Sequence, residues 1–122
     1  MYIRTIKITF KDKLSKDMFV NYTDTNADSK GIKNGTLIKI IFSNSDVVAT
    51  LILIFPDHKT FMKDHNNLAG PIIESFKDQG LKVELNDGEV LGNTAVSSRF
   101  LEVLTKEANF YSPQTDFLNL ND

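Results

Sequence analysis

Two histidines, His58 and His65, stand seven residues apart in the stretch FPDHKTFMKDHNNLAGPIIESF, residues 55–76, each directly after an aspartate. Imidazole and carboxylate side by side could hold a metal ion or move a proton. A shared metal fails on distance. Seven residues of helix rise ~10 Å, and helical histidine pairs that share a metal stand four apart. Separate sites fail on direction, because each histidine and its preceding aspartate point to different helix faces. No metal site is expected.

His65 alone is the stronger candidate. It falls on the apolar stripe of Phe61, Leu68, Ile72 and Phe76, so its ring should face inward. Two readings are open. It is a packed neutral imidazole bonded to a backbone carbonyl or a water, or it lines a pocket where it orients or deprotonates a small ligand. His58, in the first turn of the same helix, is expected in solvent. Arg4 shares a strand face with Tyr2, Ile6 and Ile8. A buried arginine needs an anion or carboxylate; otherwise its head reaches the sheet end and snorkels. Tyr22 lies on the inner face of the first helix. Convergence of Arg4, Tyr22 and His65 would suit an acidic, phenolic or small apolar molecule, with Phe55 and Phe61 as aromatic walls.

The elements that must position these groups follow from periodicity. Residues 2–10 alternate, with Ile6, Ile8 and Phe10 against Thr5, Lys7 and Thr9, as a strand does. Leu14, Met18 and Tyr22 at i, i+4, i+8 predict a short helix with Ser15 as N-cap, fraying in TDTNADSKG. Strands are predicted over 36–43 and 47–55, joined by the turn Asn44-Ser45-Asp46. The second is apolar on both faces and must be covered on both. Pro56 ends it and Asp57 caps the next helix, which Gly70-Pro71 should break or kink and Gly80 should close. Leu81, Val83 and Leu85 mark a last strand, with Asp87-Gly88 as a turn. A third helix is expected over 94–108, carrying an i, i+4 pair of Glu102 and Lys106. The tail, with Phe110, Tyr111, Phe117 and Leu118, is expected to dock, on a partner subunit if not on its own chain.

Composition narrows the classes. The 122 residues, 41% hydrophobic and 25% charged with net charge −2, suit one globular domain. A core over 2–91 and a C-terminal helix and tail over 92–122, available for dimer contacts, are the expected division. Scattered lysines and only Arg4 and Arg99 argue against a nucleic-acid face. With no cysteine, thiolate sites and disulfides drop out. No stretch approaches the ~18 apolar residues of a membrane span, and the N-terminus lacks a signal-peptide pattern. A cytoplasmic protein with no membrane partner is the default expectation.

The order β-α-β-β-α-β plus a C-terminal helix predicts an α+β, ferredoxin-like antiparallel sheet with its helices on one face. The doubly apolar strand 47–55 then asks for a second sheet against the open face, hence a homodimer by sheet-to-sheet packing. At this point residues 2–91 resemble the dimeric α/β-barrel superfamily, most of all its small antibiotic-biosynthesis-monooxygenase-type proteins. The likeness rests on that order and on GTLIKIIFSNSDVVATLILIFPDHKTFMKDH. There a glycine opens a strand pair that ends at an aromatic and leads into a helix with a central histidine. The family often has Trp where Phe55 stands, and His65 stands where its helix often carries His. Known members include cofactor-independent oxygenases, haem-degrading enzymes and proteins of no established activity. The haem-degrading type uses an Asn, Trp and His set, and this chain has no Trp. The resemblance therefore implies a small-molecule-binding protein or a cofactor-independent, monooxygenase-like enzyme, with no cofactor expected. The rival is a non-catalytic dimeric interaction or ligand-sensing module. A pocket of ~300 Å³ or more with a polar end would suit the first, a sealed core the second.

Overall fold

The computed structural model describes residues 1–106. The chain divides into two units, Met1–Val90 and the segment from Leu91 onward. The first is a four-stranded antiparallel sheet in the order β2-β3-β1-β4, with β1 Tyr2–Thr9, β2 Ile38–Ser43, β3 Val48–Phe55 and β4 Lys82–Glu89. The two central strands are the first and third, as the predicted topology requires. Register sets the faces: Ile6 lies opposite Leu51 and Leu85, and Ile8 opposite Ala49 and Val83. These residues share the face on which the unit's helices pack. Ile6, Ile8, Phe10, Phe19, Ala49, Leu51 and Ile73 form its core. The rings of Phe10, Phe19 and Phe76 close one end of that core, 5.3–6.0 Å apart.

The other face carries the alternate residues. Ile38, Ile40 and Phe42 of β2, Ile52 and Ile54 of β3 and Ile3 of β1 point there, beside Thr5, Lys7, Lys82, Glu84 and Asn86. Ile40 is 38% exposed and Phe42 45%.

Between β1 and β2 the chain is helical without a break from Lys13 to Lys33: α1 Lys13–Tyr22, a π-turn over Thr23–Ala27, then α2 Asp28–Lys33. Fraying after Tyr22 was expected and does not occur. The Thr23 and Thr25 hydroxyls bond back to the carbonyls of Val20 and Asn21, so they serve the helix instead of competing with it. Lys39 on β2 then holds Asp28 at 2.8 Å. The N-cap is Asp12, not Ser15: the Asp12 carboxylate accepts the Ser15 backbone N–H, which holds its pKa below the ordinary value.

The second crossover has the same design. Helix α3 His58–Asp64 runs into a π-turn over His65–Ala69 and then α4 Gly70–Asp78. Asp57 caps α3 by accepting from the Thr60 N–H, as expected. The irregularity falls just before the expected Gly70-Pro71, as the π-turn, and Pro71 lies in the first turn of α4, where its missing N–H is not needed. Gly70 is required there, because a Cβ would lie 2.6 Å from the His65 carbonyl oxygen. Gly80 closes α4 at φ +81°.

Two further expectations fail. Asp87-Gly88 does not turn the chain; β4 runs straight through, with Asp87 opposite Arg4 and Gly88 opposite Ile3. A two-residue type I′ turn needs positive φ, and Gly88 has none. The helix expected over 94–108 is α5, Phe100–Thr105. It starts late because Ser97 takes the Arg99 N–H on its hydroxyl and the Phe100 N–H on its carbonyl, which makes a turn. The Glu102–Lys106 pair forms at 3.1 Å. Positions 107 and 108 of the expected helix and the tail residues Phe110, Tyr111, Phe117 and Leu118 lie outside the described residues.

Candidate functional site

Four of the five expected site residues come together at the β1–α3 end of the sheet. Arg4 is 4% exposed. Its Nε and Nη2 donate to the two carboxylate oxygens of Asp87 at 2.7 and 2.9 Å, and Nη1 lies 2.8 Å from His65 Nδ1. Since guanidinium has only donors, His65 Nδ1 must present its lone pair, which leaves the ring proton on Nε2. The Phe61 ring lies beneath the guanidinium, 4.5 Å from its carbon, and Phe55 packs on Phe61 at 5.5 Å. Arg4 thus takes the carboxylate alternative and does not snorkel. His65 meets a side chain, Arg4, where the packed reading expected a backbone carbonyl or a water. His58 is exposed, its ring against Tyr2. Tyr22 makes no hydrogen bond or ring contact with this cluster among the described residues, and the expected convergence on it does not form.

Tyr22 instead lines a cavity of about 80 Å³ between the helices and the sheet. The walls are apolar: Ile6 and Ile8 of β1, Leu51 and Leu53 of β3, and Ile73 and Phe76 of α4. Both π-turns border it, through Thr23 and Ala27 of one and Leu68 and Ala69 of the other. A π-turn inserts one residue and widens a helix, a device frequent at functional sites. Outside lies a groove of about 810 Å³ between α1 and α4. Cavity and groove share Phe19, Tyr22, Ile72 and Phe76 as a common wall.

Two polar side chains in the cavity lining have a buried oxygen with no hydrogen-bond partner among the described residues, Thr36 Oγ1 and Asp64 Oδ1. Asp64 is 4% exposed. Leaving such a group unmet costs about 1–3 kcal/mol. Burial pushes the Asp64 carboxyl above its ordinary pKa, with Arg4 pulling more weakly the other way. Across the cavity, Lys39 is committed to Asp28 at 2.8 Å, with Asp24 at 3.9 Å. Burial raises Asp28 too, against the pull of Lys39.

The sequence suggested Asp64 only as a metal ligand beside His65 and Asp87 only as a turn residue. Asp64 follows Phe61 by three and precedes Leu68 by four, so it stands on the inward stripe as His65 does. A carboxylate on an apolar stripe was the available signal. Asp87 had none, because its partner is 83 residues away.

The raised Asp64 pKa has a consequence for stability. From the ordinary carboxylate value upward, the unfolded chain releases this proton before the folded one does. The folded state then binds more protons, so stability falls as pH rises through that window and levels off above the folded pKa. Asp64→Asn should flatten part of this slope above the ordinary carboxylate value, leaving the contribution of Asp28, which burial raises in the same direction. Urea midpoints across that range test it; equal slopes for variant and parent would refute it.

No family model matches the chain, and no curated protein matches it. Solved structures do. A dimeric ferredoxin-like protein from an uncultured marine organism superposes with a TM-score of 0.58 at 12% identity, over 78% of this chain and 98% of that one. A monooxygenase from Streptomyces coelicolor, in complex with nanaomycin D, gives 0.56 at 10% identity over 79% and 92%. SnoaB, a cofactor-independent oxygenase from Streptomyces nogalater, gives 0.56 at 10% over 75% and 94%. Among the described residues no helix is long and apolar enough to cross a membrane. The architecture expected from the sequence is therefore present: this chain has the ferredoxin-like fold shared by those dimeric proteins and small oxygenases.

Proposed function

We propose that this chain is a homodimeric small-molecule-binding protein that holds an apolar or phenolic ligand in the cavity between its helices and its sheet. Cofactor-independent, monooxygenase-like chemistry is the reaction class it would carry. The observation behind the reading is the cavity itself, apolar in its walls and lined by two buried oxygens with no partner among the described residues. Such a pairing of apolar walls with a few polar groups is how small-molecule sites are built. The fold likeness to two oxygenases supports the reaction class. Tyr22 and Ile72 stand between cavity and groove, so a ligand entering from the groove would have to displace them. Arg4, Asp87 and His65 then act as the frame that seats Asp64 from the adjoining position, with Phe55 and Phe61 packed behind them. Dimerisation follows from the open sheet face, where Ile40 and Phe42 stand in solvent in a lone subunit.

One observation favours the non-catalytic dimeric module: about 80 Å³ is well short of ~300 Å³. A ligand of ring size needs the shared wall to move. Filling the cavity distinguishes the two readings. Indole at tenfold its Kd should raise the melting temperature of the parent by at least about 4 °C, and Ala69→Leu, which fills the cavity, should abolish the shift. No shift in the parent, or an equal shift in the variant, would favour the module.

A further inference from the structure

The cavity carries information about its occupant. Thr36 Oγ1 and Asp64 Oδ1 border the same small space beside Gly31. A Cβ on Gly31 would lie 3.5 Å from the first and 3.9 Å from the second, both ordinary contacts. Packing therefore does not demand glycine there, although glycine weakens a helix. Its missing side chain leaves open space next to both oxygens. None of Gly31, Thr36 and Asp64 lines the outer groove, so this polar pair belongs to the inner cavity alone.

We propose that Thr36 and Asp64 are specificity-determining residues that together anchor one neutral hydroxyl group on an otherwise apolar ligand. This rests on the reading of the cavity as a ligand site. A hydroxyl both donates and accepts, and so does the pair it meets. The Thr36 O–H donates to the ligand oxygen while the ligand O–H donates to Asp64 Oδ1. With Asp64 protonated, the direction reverses and both contacts survive. A carboxylate ligand would face Asp64 with no free cation beside it among the described residues, since Lys39 is held by Asp28 and Arg4 by Asp87 and His65. An ammonium would have to shed its water among Ile6, Leu51 and Ile73. A neutral hydroxyl meets both oxygens without a charge to bury.

Phenol and toluene have nearly the same shape and differ in this group. Titration calorimetry of both against the parent, Thr36→Val and Asp64→Leu tests the assignment. The parent should bind phenol at least about tenfold tighter than toluene, because a site built for a hydroxyl rejects the analogue lacking it. Each substitution should reduce that preference below about threefold while toluene binds as well as before. Should Asp64→Leu fail to fold, the nearly isosteric Thr36→Val decides the matter. Equal binding of the two probes by the parent, or a preference that survives the substitutions, would overturn the anchor and leave the ligand cavity standing. Binding of neither probe would overturn the cavity reading and the anchor with it.

Discussion

Asp87→Ala is expected to destabilise the fold by about 3 kcal/mol, whereas Arg4→Met should cost about 1–2 kcal/mol. The asymmetry follows from where each charge sits. Arg4 is almost wholly buried, while the Asp87 side chain keeps 24% exposure. Removing the carboxylate strands a buried cation that cannot shed its charge. Removing the arginine leaves a carboxylate that water can reach, and methionine fills most of the vacated stem. What is then lost is the bond to His65 and the contact with Phe61, the latter worth ~0.5–1 kcal/mol. The double variant should be no worse than Asp87→Ala alone, a coupling of about 1–2 kcal/mol. Urea denaturation at a common m-value measures all three. An Asp87→Ala variant within about 0.5 kcal/mol of the parent would contradict the clamp.

The second large effect concerns assembly. Ile52 lies in the middle of the open face, opposite Thr5 on β1 and Ile40 on β2. Ile52→Lys points a charge outward, which a solvated face tolerates and a buried interface does not. The parent should sediment at twice the 13.8 kDa of one chain, and the variant as a single copy with unchanged secondary structure. A dissociation constant raised at least a thousandfold, ~4 kcal/mol, is expected. Glu84→Gln, at the polar edge of the same face, should leave the dimer intact. A parent that sediments as one copy, or a variant that stays paired, would remove the homodimer from the account.

Much of the fold was legible because periodicity carries it. The alternation of Ile6, Ile8 and Phe10 marks β1, and the stripe from Phe61 to Phe76 marks the second crossover. Asp57 caps where the local rule puts it. Local rules failed where long-range pairing decided the outcome. Asp87-Gly88 has the residues of a turn, yet its register against β1 places it in the sheet. Thr23 to Gly31 looks like a fraying segment, yet hydroxyl-to-carbonyl bonds and the Lys39–Asp28 pair keep it helical. The site divides in the same way. That Arg4 and His65 turn inward could be read from strand and helix faces, but that they meet each other could not. Both π-turns were invisible too, because an inserted residue shifts a stripe without breaking it. Asp64 was weighed only as a metal ligand beside His65, and its place on the apolar stripe was not used.

The central claim is that a small molecule enters the space between helices and sheet. Methyl-labelled protein titrated with indole, followed by nuclear magnetic resonance, asks this most directly. The largest shifts should fall on Ile6, Leu51 and Ile73, which line the cavity and not the groove. Shifts confined to Met18, which lines only the groove, or no shifts at all, would contradict it.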